Sequence, residues 1–193
     1  MLGCAFILIG GMGLAFPFLP FGFSEDLDAL QQLADAVPTT PLISPASASF
    51  TSTPLPFDPE LKQIKNRLSI AILKINMPVF ESKSASVLSK GGWIFPGTST
   101  PDQGSNTVIF GHRFRYLPPI SNTFYHLDKI KIGDEIKLAW KGTTYRYRVT
   151  ETKIIEPTDF SVIAPSSTPI VTLITCAPLF STKQRLVVVG ELI

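Results

Sequence analysis

The sequence predicts an all-β domain closed, or nearly closed, into a barrel, and three observations predict it. Leu68, Ile70 and Ile72 alternate with polar or small residues, as Tyr145, Tyr147 and Val149 do with Arg146 and Arg148. Period-two alternation of this kind marks strands with one face turned to a core. Further short apolar runs fall at 107–110, 135–140, 170–174 and 186–192. Turn signals separate them at Pro96-Gly97, Pro101-Asp102-Gln103-Gly104, Gly133-Asp134 and Lys141-Gly142. Finally, few stretches after residue 60 carry helical periodicity, and many short strands without covering helices are most readily satisfied by closure.

Ahead of this domain the composition changes twice. Residues 1–23 contain no charged side chain. A helix of that length, at about 1.5 Å per residue, spans a hydrocarbon core of about 30 Å. We expect a membrane anchor here. A cleaved signal peptide is the rival, although it lacks a basic n-region and a clear small-residue cleavage site. Residues 24–37 are expected to form a short helix, with Ser24 as N-cap, acids in the first turn, and Leu27, Leu30, Ala34 and Val37 on one face. From Val37 to Pro59, 14 of 23 residues are Pro, Ser or Thr, which cannot build a core. At roughly 3.1 Å per residue this spacer would reach at most about 70 Å. The expected organisation is therefore an anchor over 1–23, an acidic helix and spacer over 24–59, and a catalytic barrel over 60–193. The barrel would lie on the outer face of a cell membrane crossed once.

Charge follows the same division. All 17 Lys and Arg lie after residue 59, beside 10 Asp and Glu, whereas residues 1–59 carry five acids and no base. No basic run or aromatic-basic interleaving supports nucleic-acid binding, so no such partner is expected. Two cysteines cannot make a disulfide framework, and with only two histidines and no CxxC or HExxH spacing a structural zinc site is not expected. No metal and no cofactor are expected. A single cysteine in an oxidising compartment is unusual unless it has a reactive task.

That cysteine is Cys176, at the end of Val171-Thr172-Leu173-Ile174-Thr175-Cys176 and directly before Ala177-Pro178, which places the thiol at a strand rim. A thiol reacts as thiolate, and a pKa of about 8.5 leaves little of it at neutral pH, so a base or cation must stand nearby. Asn106-Thr107-Val108-Ile109-Phe110-Gly111-His112 is a strand ending in a glycine that permits close approach, and His112 is the expected base. His126 lies in a segment resembling one helical turn with Phe124 and Leu127 inward, and is expected at the surface. Arg185 opens the run Leu186-Val187-Val188-Val189. If 177–184 is a loop between antiparallel strands, Arg185 falls opposite Thr175 or Cys176, where a permanently charged fork can stabilise an oxyanion.

These residues resemble the sortases, the cysteine transpeptidases of bacterial cell envelopes. Thr172-Leu173-Ile174-Thr175-Cys176 is similar to the family's T-L-x-T-C, with Arg185 downstream, and the strand through Gly111-His112-Arg113 is similar to that leading to its catalytic histidine. The likeness extends over Pro96-Gly97, Phe124-Tyr125-His126-Leu127, Gly133-Asp134 and the Tyr145–Val149 strand, in order, from about residue 66 onward; the Gly-His-Arg context looks most like classes D and E. It implies an eight-stranded barrel in which Cys176 attacks the Thr–Gly carbonyl of an LPxTG-like sorting signal. His112 would protonate the leaving amine, Arg185 would hold substrate and oxyanion, and Thr175 would contact the substrate. The implied partners are secreted surface proteins bearing the signal and an amine acceptor, either a peptidoglycan cross-bridge or a pilin lysine. Phe57-Asp58-Pro59 is followed by Glu60 rather than an aromatic residue, so no pilin-type lid is expected. The alternatives are a tethered cysteine peptidase without transfer and a non-catalytic binding barrel. A papain-like peptidase would open a helix at the cysteine, and Ala177-Pro178 after a β-run predicts none.

Overall fold

The computed structural model describes residues 31–32, 66–116 and 120–193. The expected anchor, the spacer and the Phe57-Asp58-Pro59 segment lie outside the described residues, and among the described residues no helix is long and apolar enough to cross a membrane. Gln31 and Gln32 are helical, within the helix expected over 24–37. Gln31 donates to the Lys83 carbonyl at 2.9 Å and accepts from the Ala85 amide at 2.9 Å, so this short piece is bracketed onto the barrel.

Eight strands close into a barrel. β1 (Asn66–Ile70) pairs antiparallel with β2 (Ile75–Glu81), and β3 (Gly92–Ile94) runs parallel to β2 and antiparallel to β4 (Asn106–Phe110). β4 lies parallel to β7 (Ile170–Ala177), which pairs antiparallel with β8 (Gln184–Leu192). β8 continues to β6 (Thr143–Ile155), β6 to β5 (Glu135–Trp140), and β5 returns to β1. The ring order is β1-β2-β3-β4-β7-β8-β6-β5, with short 3₁₀ turns in the connections. Closure leaves no unpaired edge among these strands.

Two details differ from the sequence pattern. The strand read through Ile72 stops at Ile70, because Ala71–Leu73 forms a 3₁₀ turn and Lys74 takes a left-handed φ of 55°. Ile72 is consequently 68% exposed. The following strand, β2, contains Pro78, a residue that argues against strand on sequence grounds; Met77 and Val79 on either side of it are buried.

The alternation of side chains produces two apolar clusters. Val171, Leu173 and Ala177 of β7, with Leu186 and Val188 of β8 and Ile109 of β4, fill the barrel. The residues between them, Ile174, Val187, Val108 and Phe110, point outward and join Trp93 and Phe95 in a second cluster. β7 is thus covered on both faces, which accounts for its unbroken apolar run. Each such large side chain, fully buried, stabilises the fold by about 1.5–3 kcal/mol. The outward cluster matters most for function, because Cys176 and Arg185 lie on its face.

A polar knot ties the turn Pro101–Gln103 to the β5–β6 hairpin. The Asp102 carboxylate accepts from Thr100 Oγ1 (2.5 Å), Trp140 Nε1 (3.0 Å) and Lys141 Nζ (2.9 Å). Burial pushes this carboxyl upward, but the hydrogen bonds from Thr100 and Lys141 and the lysine charge outweigh it and hold the pKa at about 2. A carboxylate lowered in the fold stabilises it fully above its unfolded value of about 3.9, and that contribution is lost as pH falls toward 2. Asp102→Asn is expected to cost about 1 kcal/mol at neutral pH, the scale of a partly solvated network. Its thermal midpoint should then fall less steeply than that of wild type between pH 4 and pH 2, whereas parallel pH profiles would show that Asp102 does not carry the acid limb.

Candidate active site

Parallel pairing of β4 with β7 sets the site. Phe110 pairs with Ile174, and the Gly111 amide continues the ladder to the Ile174 carbonyl at 3.1 Å. His112 and Cys176 each lie two residues beyond that pair, so two strands leaving the barrel side by side deliver imidazole and thiol to the same rim. On the other side of β7, Cys176 pairs directly with Arg185 of β8. Side chains of directly opposed residues project to one face of a sheet. Three residues 73 positions apart at the extremes therefore converge through two strand registers.

The rim is braced by side chains that do not face the cleft. Thr175 is 2% exposed, and its hydroxyl donates to the Gly111 carbonyl at 2.7 Å. The side chain expected to contact substrate is thereby turned into the barrel wall, where it ties the cysteine strand to the histidine strand. Arg113, 5% exposed, donates from Nη1 to the Cys176 carbonyl at 3.2 Å and pairs through Nη2 with Asp128 at 3.1 Å. The His112 carbonyl accepts from the Phe124 amide at 2.8 Å. Gly111 is required beneath this contact: a Cβ there would come within 2.5 Å of the Phe124 ring, which is wholly buried. Phe124 and Leu127 are inward as expected, and His126 is half-buried beside Tyr125.

Burial, reinforced by the Arg115 cation, pushes the His112 pKa down from the ordinary imidazole value to about 4. Its Nε2 is buried without a hydrogen-bond partner in the protein. At neutral pH His112 is a neutral imidazole able to accept a proton, and only a negative charge brought close to it would raise its basicity. Arg185 is 8% exposed and holds its own loop in place, Nη1 donating to the carbonyls of Thr182 (2.7 Å) and Gln184 (3.1 Å). Such anchoring orients the guanidinium before any substrate arrives.

Beside the rim runs an apolar cleft. Phe95, Phe110 and Ile174 line it from the barrel, Pro157, Phe160, Val162 and Ile163 line it from the β6–β7 connection, and Arg185 contributes to the same lining. An extended segment with apolar side chains suits this chemistry. Among the described residues no three His, Cys, Asp or Glu side chains converge as a metal site. Sequence reading named Cys176, His112 and Arg185 but not Arg113 as a brace, nor the β6–β7 connection as a wall. Arg113 stood in the Gly-His-Arg motif; its partner at Asp128 is a contact that no local pattern encodes.

Fold and site together define a closed β-barrel whose strand registers bring a cysteine, a histidine and an arginine to one end, with the arginine also lining an apolar cleft. The chain belongs to the sortase family: the family's Sortase domain matches residues 68–193. It is 34% identical over 125 residues to Sortase A of Listeria monocytogenes, covering 65% of this chain and 54% of that protein. It is 27% identical over 107 residues to Sortase D of Bacillus subtilis, covering 55% and 50%. The chain thus spans about half the length of these curated relatives. The crystal structure of Listeria monocytogenes sortase A is similar with a TM-score of 0.58 at 31% identity, over 67% of this chain and 87% of that one.

Proposed function

We propose that this chain is a cysteine transpeptidase that cleaves an LPxTG-like sorting signal and transfers the acyl part to an amine. The observation that carries this reading is the register bringing Cys176 opposite Arg185, itself a lining residue of an apolar cleft, and alongside the strand to His112. In the first half-reaction the Cys176 proton passes to neutral His112 as sulfur attacks the Thr–Gly carbonyl, and Arg185 faces the negative charge developing on oxygen. The C–N bond breaks, His112 returns the proton to the leaving amine, and a thioester remains on Cys176. An acceptor amine then attacks the thioester, its proton passes through His112 to the departing sulfur, and a new amide forms. Water competes at this second step, so the outcome depends on its exclusion.

The apolar cleft would take the leucine and proline side chains of the signal. Secreted surface proteins bearing such a signal are the proposed donors, with a peptidoglycan cross-bridge or pilin lysine as acceptor. The charge-free residues 1–23 would anchor the chain in the membrane, with the barrel on the outer side. Mass spectrometry of the protein incubated with a library of sorting peptides tests this directly. A mass increase on Cys176 equal to the acyl fragment, discharged by added amine, is expected; no adduct with any member of the library would overturn the reading.

A further inference from the structure

The wall of the cleft is a short 3₁₀ turn (Phe160–Ile163) in the connection from β6 to β7. One such turn is marginal without support, since its hydrogen bonds are few and its terminal carbonyls lack partners within it. Asp159 caps its beginning by accepting from the Ser161 amide at 3.0 Å. Its far end is held by a single side chain from the start of β4. Asn106, 3% exposed, donates from Nδ2 to the carbonyls of Val162 (3.0 Å) and Ala164 (2.9 Å). The orientation of that amide is fixed from behind, because Oδ1 accepts from the buried Thr172 hydroxyl at 2.8 Å. Both amide hydrogens and the amide oxygen are therefore committed. Next to it, Ser105 Oγ donates to the Ser166 carbonyl (2.9 Å) and accepts from the Ser166 amide (3.0 Å).

We propose that Asn106 is a positioning residue for substrate recognition: it clamps the β6–β7 connection so that Phe160, Val162 and Ile163 stand ready as one wall of the cleft. This rests on the proposed function in taking that cleft as the peptide site. Asn106 touches no reacting atom. It joins the two strands that carry His112 and Cys176 to the segment that meets the peptide, so the wall is set relative to the thiol rather than free to shift. An ordered wall spares the complex the entropy of fixing a loop upon binding.

The side-chain chemistry makes the role separable from simple packing. Asn106→Asp keeps the volume and the acceptor but removes both donors and turns a charge toward two carbonyls. Asn106→Ala removes the clamp altogether. Thr172→Val leaves Asn106 in place and takes away only the hydrogen bond that orients it. For each variant three quantities are measured on the full chain: amide hydrogen exchange over 160–166, the steady-state constants for an LPxTG peptide, and the rate of Cys176 alkylation by iodoacetamide.

Asn106→Ala and Asn106→Asp are expected to speed exchange over 160–166 at least tenfold and raise KM about tenfold or more, with kcat within threefold and alkylation within twofold of wild type. Thr172→Val should fall between these variants and wild type in both exchange and KM. Unchanged exchange in all three variants would overturn the clamp. Faster exchange with an unchanged KM would overturn its role in recognition, and a loss of kcat with slowed alkylation would show a disturbed catalytic rim instead. Failure of wild type itself to turn over any sorting peptide would fall on the function reading, and the exchange data would still decide whether Asn106 holds the wall.

Discussion

Cys176→Ala is expected to abolish cleavage of a sorting peptide, by about 10⁴-fold or more, while leaving the barrel folded. The size follows from the chemistry: without sulfur no thioester forms, and what remains is whatever binding and oriented charge give to attack by water. The small structural cost follows from position. Cys176 is half-buried on the outward face of β7, whereas the β7 residues that fill the barrel are Val171, Leu173 and Ala177. Removing one sulfur there costs about 1 kcal/mol. Release of the C-terminal peptide fragment, followed by chromatography, measures the effect, and Cys176→Ser is the informative companion. A serine hydroxyl is isosteric but far harder to deprotonate, and His112 is a weak base in its present surroundings, so Ser should be nearly as inactive as Ala. A variant retaining a tenth of the wild-type rate would place the nucleophile elsewhere.

The low basicity of His112 shapes this expectation. Burial and Arg115 keep the imidazole neutral, so it stands as a proton acceptor rather than as an imidazolium.

The features legible in the sequence were those written in local pattern. β5, β6 and β8 showed their strands through alternation or apolar runs, and β4 and β7 led to a histidine and a cysteine, residue types that can carry chemistry. β3, at three residues, is too short to carry a period, and Pro78 disguised β2. The parallel β4–β7 pair lay further out of reach. It joins residues 64 apart, and nothing in either strand states which partner it takes. Site bracing was illegible for the same reason. Thr175 stands in the motif beside Cys176 and reads as a substrate contact, yet alternation turns it to the opposite side of β7 from the thiol, onto the Gly111 carbonyl. Asn106 looks like an ordinary strand start, and only the folded chain brings Val162 and Ala164 to it. Chemistry-bearing residues announce themselves by type, whereas residues that position them act through distant partners.

Arg185→Ala is expected to lower kcat/KM by about 10²–10³, the cost of removing one preorganised donor to a developing oxyanion. The prediction depends on where the guanidinium is held. Arg185 is the direct partner of Cys176 in the β7–β8 ladder, and its Nη1 is tethered to Thr182 and Gln184 in the loop. The charge is thus held on the sheet face that Cys176 shares, where low solvent exposure makes it effective on a carbonyl oxygen. Arg185→Lys separates charge from geometry. It keeps the cation but loses the fork that can hold the loop carbonyls and substrate together, so it should recover only part of the loss. The decisive comparison is between peptide turnover and the rate at which iodoacetamide alkylates Cys176. Alkylation develops no oxyanion, so Arg185→Ala should slow it far less than it slows turnover. Equal losses in both would mean that Arg185 acts on the thiol itself, and a loss of turnover below threefold would reduce Arg185 to a support for the β7–β8 loop.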